Sequence, residues 1–274
     1  MQLQGKVVAL TGAGSGIGRA LAVALAQAGA QIALADRDEA GLAETGRLVA
    51  AAVGQHDASQ HVVDVSDEAA VQRFAAEAGE RHATVDVAIN NAGVALFGTV
   101  AELTSDEIAW LMGVNFWGVV YGTKAFLPTL VTRPEAAIVN LSSLFGLWAP
   151  PGQSAYAASK FAVRGFSESL RAELTGTNVR VLTVHPGGVK TAIAARSRVA
   201  RAADQARATR LSAVFDREFL TLPAETAAAA IVSGLQRGQE RILIGADARR
   251  IDLLTRVFPV RAPRWLVARA GRVR

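Results

Sequence analysis

The sequence predicts a single α/β domain built on a doubly wound parallel sheet. Two observations support this. Short apolar, β-branched runs alternate with longer stretches of helical periodicity. The runs are apolar at consecutive positions, so both of their faces are buried, as in a parallel sheet covered on both sides. Right-handed crossovers then place helices on both faces.

The first run, 6–11 (KVVALT), leads into TGAGSGIG at 11–18 and a helical stretch where Leu21, Leu25 and Ala28 share a face. Runs at 31–35 (QIALA), 61–65 (HVVDV) and 86–90 (DVAIN) come next, the last preceded by helical spacing at Val71, Phe74 and Ala78. The remaining strands are expected at 137–142 (AIVNLS), 179–185 (VRVLTVH) and 241–245 (RILIG). Residues 192–222 interrupt this rhythm: rich in Arg and Ala and without a strand signal, they read as an insertion over one end of the sheet. The expected domain covers 1–246, and a basic amphipathic extension covers 247–274.

Composition narrows the function classes. The chain has 274 residues, 51% hydrophobic and 19% charged, a globular balance. No apolar run approaches the ~20 residues needed to cross a bilayer. The N-terminus runs directly into a strand, so no signal peptide is expected and a cytoplasmic location is. Cysteine is absent, and His56, His61, His82 and His185 are scattered, so no metal site is expected. The net charge of +5 is uneven: residues 237–274 hold ten Arg against Glu240, Asp247 and Asp252. Basicity confined to a tail gives no reason to expect nucleic-acid binding.

Two motifs carry chemistry. In TGAGSGIG, Gly12, Gly16 and Gly18 permit a tight turn, close approach of a diphosphate and close helix–strand packing. The N–H groups at Ser15, Gly16, Ile17 and Gly18, at the helix start, face the anion. In YAASK, Tyr156 and Lys160 are four residues apart and share a helix face. A phenol beside a fixed ammonium can act as an acid or base near neutral pH; the required shift of ~2–3 pKa units lies within reach of a nearby charge in a partly dry site.

With these motifs the chain resembles the short-chain dehydrogenase/reductase family. The resemblance rests on TGAGSGIG, Asp64, NNAG at 90–93, Asn115, Ser143 thirteen residues before Tyr156, YAASK and HPGGVKT at 185–191, in the family's order. It implies a Rossmann fold, and Tyr156 as the general acid/base at the carbonyl or alcohol oxygen. It implies that Lys160 lowers the tyrosine pKa and binds the nicotinamide ribose. Ser143 would donate to the substrate oxygen, so substrate contacts fall to Ser143 and Tyr156, with Ser142 as a competing serine. Asn115 would hold a water of a proton relay. Cofactor contacts are implied at Asp64 and Val65 for adenine, at Asn91, Ala92 and Gly93 beside the adenine ribose, and at Pro186, Gly187, Val189 and Thr191 for the carboxamide. Family members are commonly dimers or tetramers formed through the helices carrying Asn115 and Tyr156.

Asp36 ends the second strand, where a carboxylate can bridge the adenosine ribose hydroxyls. At ~5 Å and an effective dielectric of ~20, each unit of charge on a 2′-phosphate repels it by about 3 kcal/mol, which favours NAD over NADP. Ser15, where NADP-preferring relatives usually carry Arg or Lys, agrees with this. Arg37 dissents, since a guanidinium can clamp a phosphate.

The expected substrate is a hydrophobic secondary alcohol or ketone, because Val94, Leu96, Phe97, Leu144, Phe145, Leu147 and Trp148 flank the catalytic strand ends. In the insertion, Arg196, Arg198, Arg201, Arg207, Arg210 and Arg217 face Asp204, Asp216 and Glu218, as a solvated face or as a grip on an acidic group. In the tail, Ile251, Leu254, Val257 and Phe258 form an apolar stripe among arginines, with Trp265 and Leu266 beyond it. That pattern suits packing on the body or a partner, or weak contact with a membrane surface. Two rival functions stand beside the NAD-dependent dehydrogenase: an NADPH-dependent carbonyl reductase, including the 3-oxoacyl thioester type, and a catalytically silent nucleotide sensor.

Overall fold

The computed structural model describes residues 1–54, 58–191, 193, 196–203 and 220–271. Along the chain run β1 (Val7–Thr11), α1 (Gly16–Gln27), β2 (Gln31–Asp36), α2 (Glu39–Val53), β3 (Ala58–Val62) and α3 (Glu68–His82). Next come β4 (Val87–Asn90), β5 (Leu96–Phe97), α4 (Ser105–Met112), a π turn (Gly113–Trp117) and α5 (Gly118–Leu130). The catalytic-motif region holds β6 (Ala136–Leu141), a 3-10 turn (Leu144–Gly146), α6 (Ser154–Glu173) and β7 (Val179–Pro186). After β8 (Arg198–Val199) come α7 (Ala224–Gln236), β9 (Arg241–Ile244), α8 (Ala246–Val257) and α9 (Arg261–Gly271).

Seven strands form one parallel sheet in the order β3-β2-β1-β4-β6-β7-β9. Because strand side chains alternate, each strand feeds two cores. Val8, Leu10, Ile32, Leu34, Val139 and Val184 pack with Leu21 and Leu25 of α1 and Ile231 of α7. Val7, Ala9, Ala33, Ile138 and Val181 pack with Phe74 of α3, Phe126 of α5 and Leu170 of α6. Burying a leucine such as Leu10 or Leu34 contributes about 1.5–3 kcal/mol, and a one-residue slip would turn it to the wrong face.

The doubly wound sheet agrees with the sequence expectation, with two differences. The third strand lies at Ala58–Val62, three residues ahead of the apolar run HVVDV. It is an edge strand paired with β2 through Asp36 and Val62, and its side chains are largely polar. Val63 and Val65 enter the core from the loop beyond it, so their apolarity marks burial rather than pairing. The second difference falls in the insertion, where no strand was expected: Arg198 and Val199 pair with Leu96 and Phe97 as a separate two-stranded ribbon. Residues 204–219, with Asp204, Arg207, Arg210, Asp216, Arg217 and Glu218, lie outside the described residues.

The C-terminal helices pack back on the body. Asp252 of α8, buried, accepts from Arg241 of β9 at 2.8 Å and from Arg256 at 3.2 Å. Ala262 of α9 is fully buried. Among the described residues no helix is long and apolar enough to cross a membrane.

Candidate active site

The sheet order reverses between β1 and β4, and the candidate residues gather at the carboxyl ends of the strands around that switch point. Gly12 turns with φ +67°, and a Cβ on Gly18 would lie 1.9 Å from the Gly12 carbonyl oxygen. The turn is braced from both sides. Asn91 Nδ2 donates to the Thr11 and Gly12 carbonyls at 2.9 and 3.0 Å, and Thr11 Oγ1 accepts from the backbone of Asn91 and Ala92. Thr45 Oγ1 donates to the Ala13 carbonyl at 2.9 Å, while Arg19 donates to Thr45 at 3.1 Å and to the Gly14 carbonyl. Ser15 caps α1 without a side-chain bond, and the first turn, with Ile17, holds no acid. Its N–H groups suit a diphosphate.

Asp36 reaches across this turn: Oδ2 accepts from Gly14 N at 2.8 Å and Oδ1 from Asp38 N at 3.0 Å. Arg37 beside it is exposed. Asp64 is exposed past the end of β3, with Oδ1 accepting from the Ser66 N–H and hydroxyl at 2.9 and 2.7 Å. Val65 is buried against the π-turn side, where a Cβ on Gly118 would meet it at 2.9 Å.

Helix α6 presents Tyr156 and Lys160 one turn apart. Lys160 is 4% exposed; its Nζ donates to the Leu141 carbonyl at 3.0 Å and lies 5.8 Å from the Tyr156 ring centroid. Burial lowers the Lys160 pKa to about 8. Ser143 accepts from Phe145 N at 3.1 Å and stands near enough to Tyr156 to lower the phenol's pKa. Ser142 instead donates to the Lys160 carbonyl at 2.8 Å from a buried position, which makes it part of the packing between β6 and α6.

Asn115 sits in the π turn, a widened helical turn that aims the side chain at the β4 loop. Its Oδ1 accepts from Val94 N at 2.8 Å, and its Nδ2 donates to Val94 O at 3.0 Å and Ser159 Oγ at 3.1 Å. A Cβ on Gly93 would stand 3.4 Å from both Asn115 Oδ1 and Lys160 Nζ, so the two polar groups converge on this glycine. After Pro186 the chain folds back over the glycine-rich turn: a Cβ on Gly16 would lie 3.1 Å from Thr191 Cγ2. Val189 is buried nearby, bridged to Leu222.

A family model for short chain dehydrogenases matches residues 6–202. The chain belongs to the short-chain dehydrogenase family. It is 46% identical over 257 residues to SadH of Mycobacterium tuberculosis, a protein named as an oxidoreductase, covering 93% of this chain and 91% of that one. Among solved structures, a short-chain dehydrogenase/reductase from Burkholderia phymatum in complex with NAD superposes with a TM-score of 0.81 at 34% identity, covering 88% and 89% of the two chains. An alcohol dehydrogenase from Thermococcus sibiricus complexed with 5-hydroxy-NADP gives a TM-score of 0.74 at 27% identity, covering 87% and 94%.

In this short-chain dehydrogenase, Tyr156 lies between two apolar clusters. Leu96, Leu111 and Ala155 form one, with Val94 and Trp110 against it; Phe145, Trp148 and Ala157 form the other, with Leu144, Ile251 and Leu266. The phenol responds to these surroundings. Burial raises its pKa above the ordinary 10, and the neighbouring Ser143 hydroxyl only partly offsets this. This direction opposes the lowering by Lys160 that the resemblance implied. The ammonium is bound to Leu141, and burial weakens its own hold on a proton.

Several supporting residues had no role assigned in the sequence reading. His185 Nδ1 donates to the Ser143 carbonyl at 3.1 Å, and burial lowers its pKa to about 4. Asp247, assigned to the C-terminal extension, accepts from Gly188 N at 2.8 Å, so the tail helps to shape the loop after Pro186. Arg19 and Thr45 brace the glycine-rich turn. His185 stood within HPGGVKT and was legible as part of that motif. Asp247, Arg19 and Thr45 act across long sequence separations and carry no local signal.

Proposed function

We propose that this oxidoreductase moves a hydride between NAD(H) and a hydrophobic secondary alcohol or ketone, with Tyr156 as the general acid/base. One observation carries the reading: Tyr156 stands one helical turn from buried Lys160, at the strand ends beside a braced glycine-rich turn.

When bound, the nicotinamide cofactor supplies the hydride donor or acceptor. The residues present fit such a group. The turn from Gly12 to Gly18 offers backbone N–H groups to a diphosphate, Asp36 offers a carboxylate to ribose hydroxyls, and Asp64, Val65 and Asn91 to Gly93 suit the adenosine half. Lys160, Pro186, Gly187, Val189 and Thr191 suit the nicotinamide half.

Tyr156 gives its proton to the carbonyl oxygen in reduction and receives one from the alcohol in oxidation, while Ser143 donates a hydrogen bond to the same oxygen. A water held beside Asn115 and Lys160 would resupply the phenol. The apolar clusters on both sides of Tyr156 support a hydrophobic substrate. Trp117 and Phe161, 48% and 41% exposed on the helical faces beside the site, support self-association into a dimer or tetramer.

NADP(H) is the second reading, favoured by the exposed guanidinium of Arg37 and opposed by the carboxylate of Asp36. The test compares kcat/KM with NAD(H) and NADP(H) across steroids, fatty alcohols, short ketones and acyl thioesters. Turnover of an apolar substrate with NAD(H) preferred is expected. A large preference for NADPH would move the weight from Asp36 to Arg37. Tight NAD binding without turnover of any substrate would instead support a nucleotide sensor.

A further inference from the structure

The two C-terminal helices use one face for packing and leave the other bare. Inward, Ala248 and Asp252 of α8 and Ala262 of α9 are buried, and Ile251 and Leu266 lie on the Phe145–Trp148 cluster. Outward stand Leu253, Val257, Phe258, Val260, Trp265 and Val267, between 39% and 68% exposed. They are six of the eleven large apolar side chains exposed among the described residues, gathered between positions 253 and 267.

Charge frames this patch. Helical steps of 100° put Leu253 and Val257 between Arg249 and Arg256 on one side and Arg250 on the other. In α9 they put Trp265 beside Arg261, with Arg264 one step of about 100° around the helix. All five arginines are exposed, and no acidic residue occurs after Asp252, which is itself buried and paired. The rings of Phe258 and Trp265 meet edge-on with centroids 5.4 Å apart, so the patches of the two helices are continuous.

We propose that this face docks on the surface of an anionic lipid bilayer. An apolar strip with Trp, edged by exposed arginines, matches the headgroup boundary in both polarity and charge. A second copy of the chain fits poorly. A two-fold contact through this face would set arginine against arginine with no exposed acid in the patch to pair with them. Neither helix is long and apolar enough to span, so the contact is in the plane of the surface.

The test mixes the full chain with vesicles of phosphatidylcholine alone and of phosphatidylcholine doped with phosphatidylglycerol, followed by sedimentation and tryptophan emission. Wild type is expected to sediment with the anionic vesicles, with a blue-shifted emission, and to be released by added salt. The double variant Leu253→Asp/Val257→Asp should bind about tenfold less or weaker, with its circular dichroism unchanged. Trp265→Gln, at an exposed position, provides the same test if the double variant misfolds. Failure of wild type to bind anionic vesicles at low salt would overturn the proposal, as would binding that none of these changes weakens. It would also fall if wild type formed an oligomer lost in the variants while neither bound vesicles; the face would then join two copies.

Discussion

The Nζ of Lys160 donates to the Leu141 carbonyl at 3.0 Å, which fixes a buried ammonium between the end of β6 and the Tyr156 ring. This bond holds a charged group in the site that the surrounding packing disfavours.

Lys160 is therefore expected to trade stability for activity. Its folded pKa, about 8, lies below the ordinary 10.5. Between those values the unfolded chain binds the proton and the folded chain does not, so stability rises with pH across that window. Relative to Lys160→Met, wild type should gain up to about 3 kcal/mol from pH 8 to pH 10.5, measured by denaturant unfolding. The variant should be at least as stable at pH 7 and lose most of its turnover. A difference that does not change with pH would show that the buried ammonium is not strained.

His185 works in the acid range. Its folded pKa, about 4, is depressed from 6.5 by burial. The stability tied to its neutral form is complete above pH 6.5 and is lost as pH falls toward 4. Wild type should lose up to about 3 kcal/mol over that window relative to His185→Asn, which keeps a donor for the Ser143 carbonyl without titrating. Parallel unfolding curves for the two proteins would argue against it.

Gly93→Ala tests the relay beside Asn115. The added methyl would lie 3.4 Å from Asn115 Oδ1 and Lys160 Nζ, an ordinary contact that the fold tolerates. It would crowd any water held between those two groups. Turnover should fall about tenfold or more, with Tm nearly unchanged. Unaltered kcat would remove the relay from the mechanism.

Much of this molecule was legible in the chain because its signals are local. Strands buried on both faces read as continuous apolar runs, and glycines forced by the turn at 12–18 stand together in sequence. The third strand was misplaced because an edge strand needs few apolar side chains, whereas Val63 and Val65 beyond it are buried. The β5–β8 ribbon was missed because two-residue strands have no period. Between Ser142 and Ser143, direction favours Ser143: the Ser142 hydroxyl is spent on the α6 backbone at the Lys160 carbonyl. The raised phenol pKa could not be read from a spacing of four residues, since it depends on apolar groups from β5, α4 and the C-terminal helices meeting around the ring.

The central claim is proton transfer by Tyr156, and Tyr156→Phe tests it most directly. With the ring kept and the hydroxyl removed, kcat/KM on the best substrate of the panel should fall about 10²–10⁴-fold, while NAD(H) affinity, followed by fluorescence titration, stays close to that of wild type. A variant that turns over at the wild-type rate would contradict the mechanism.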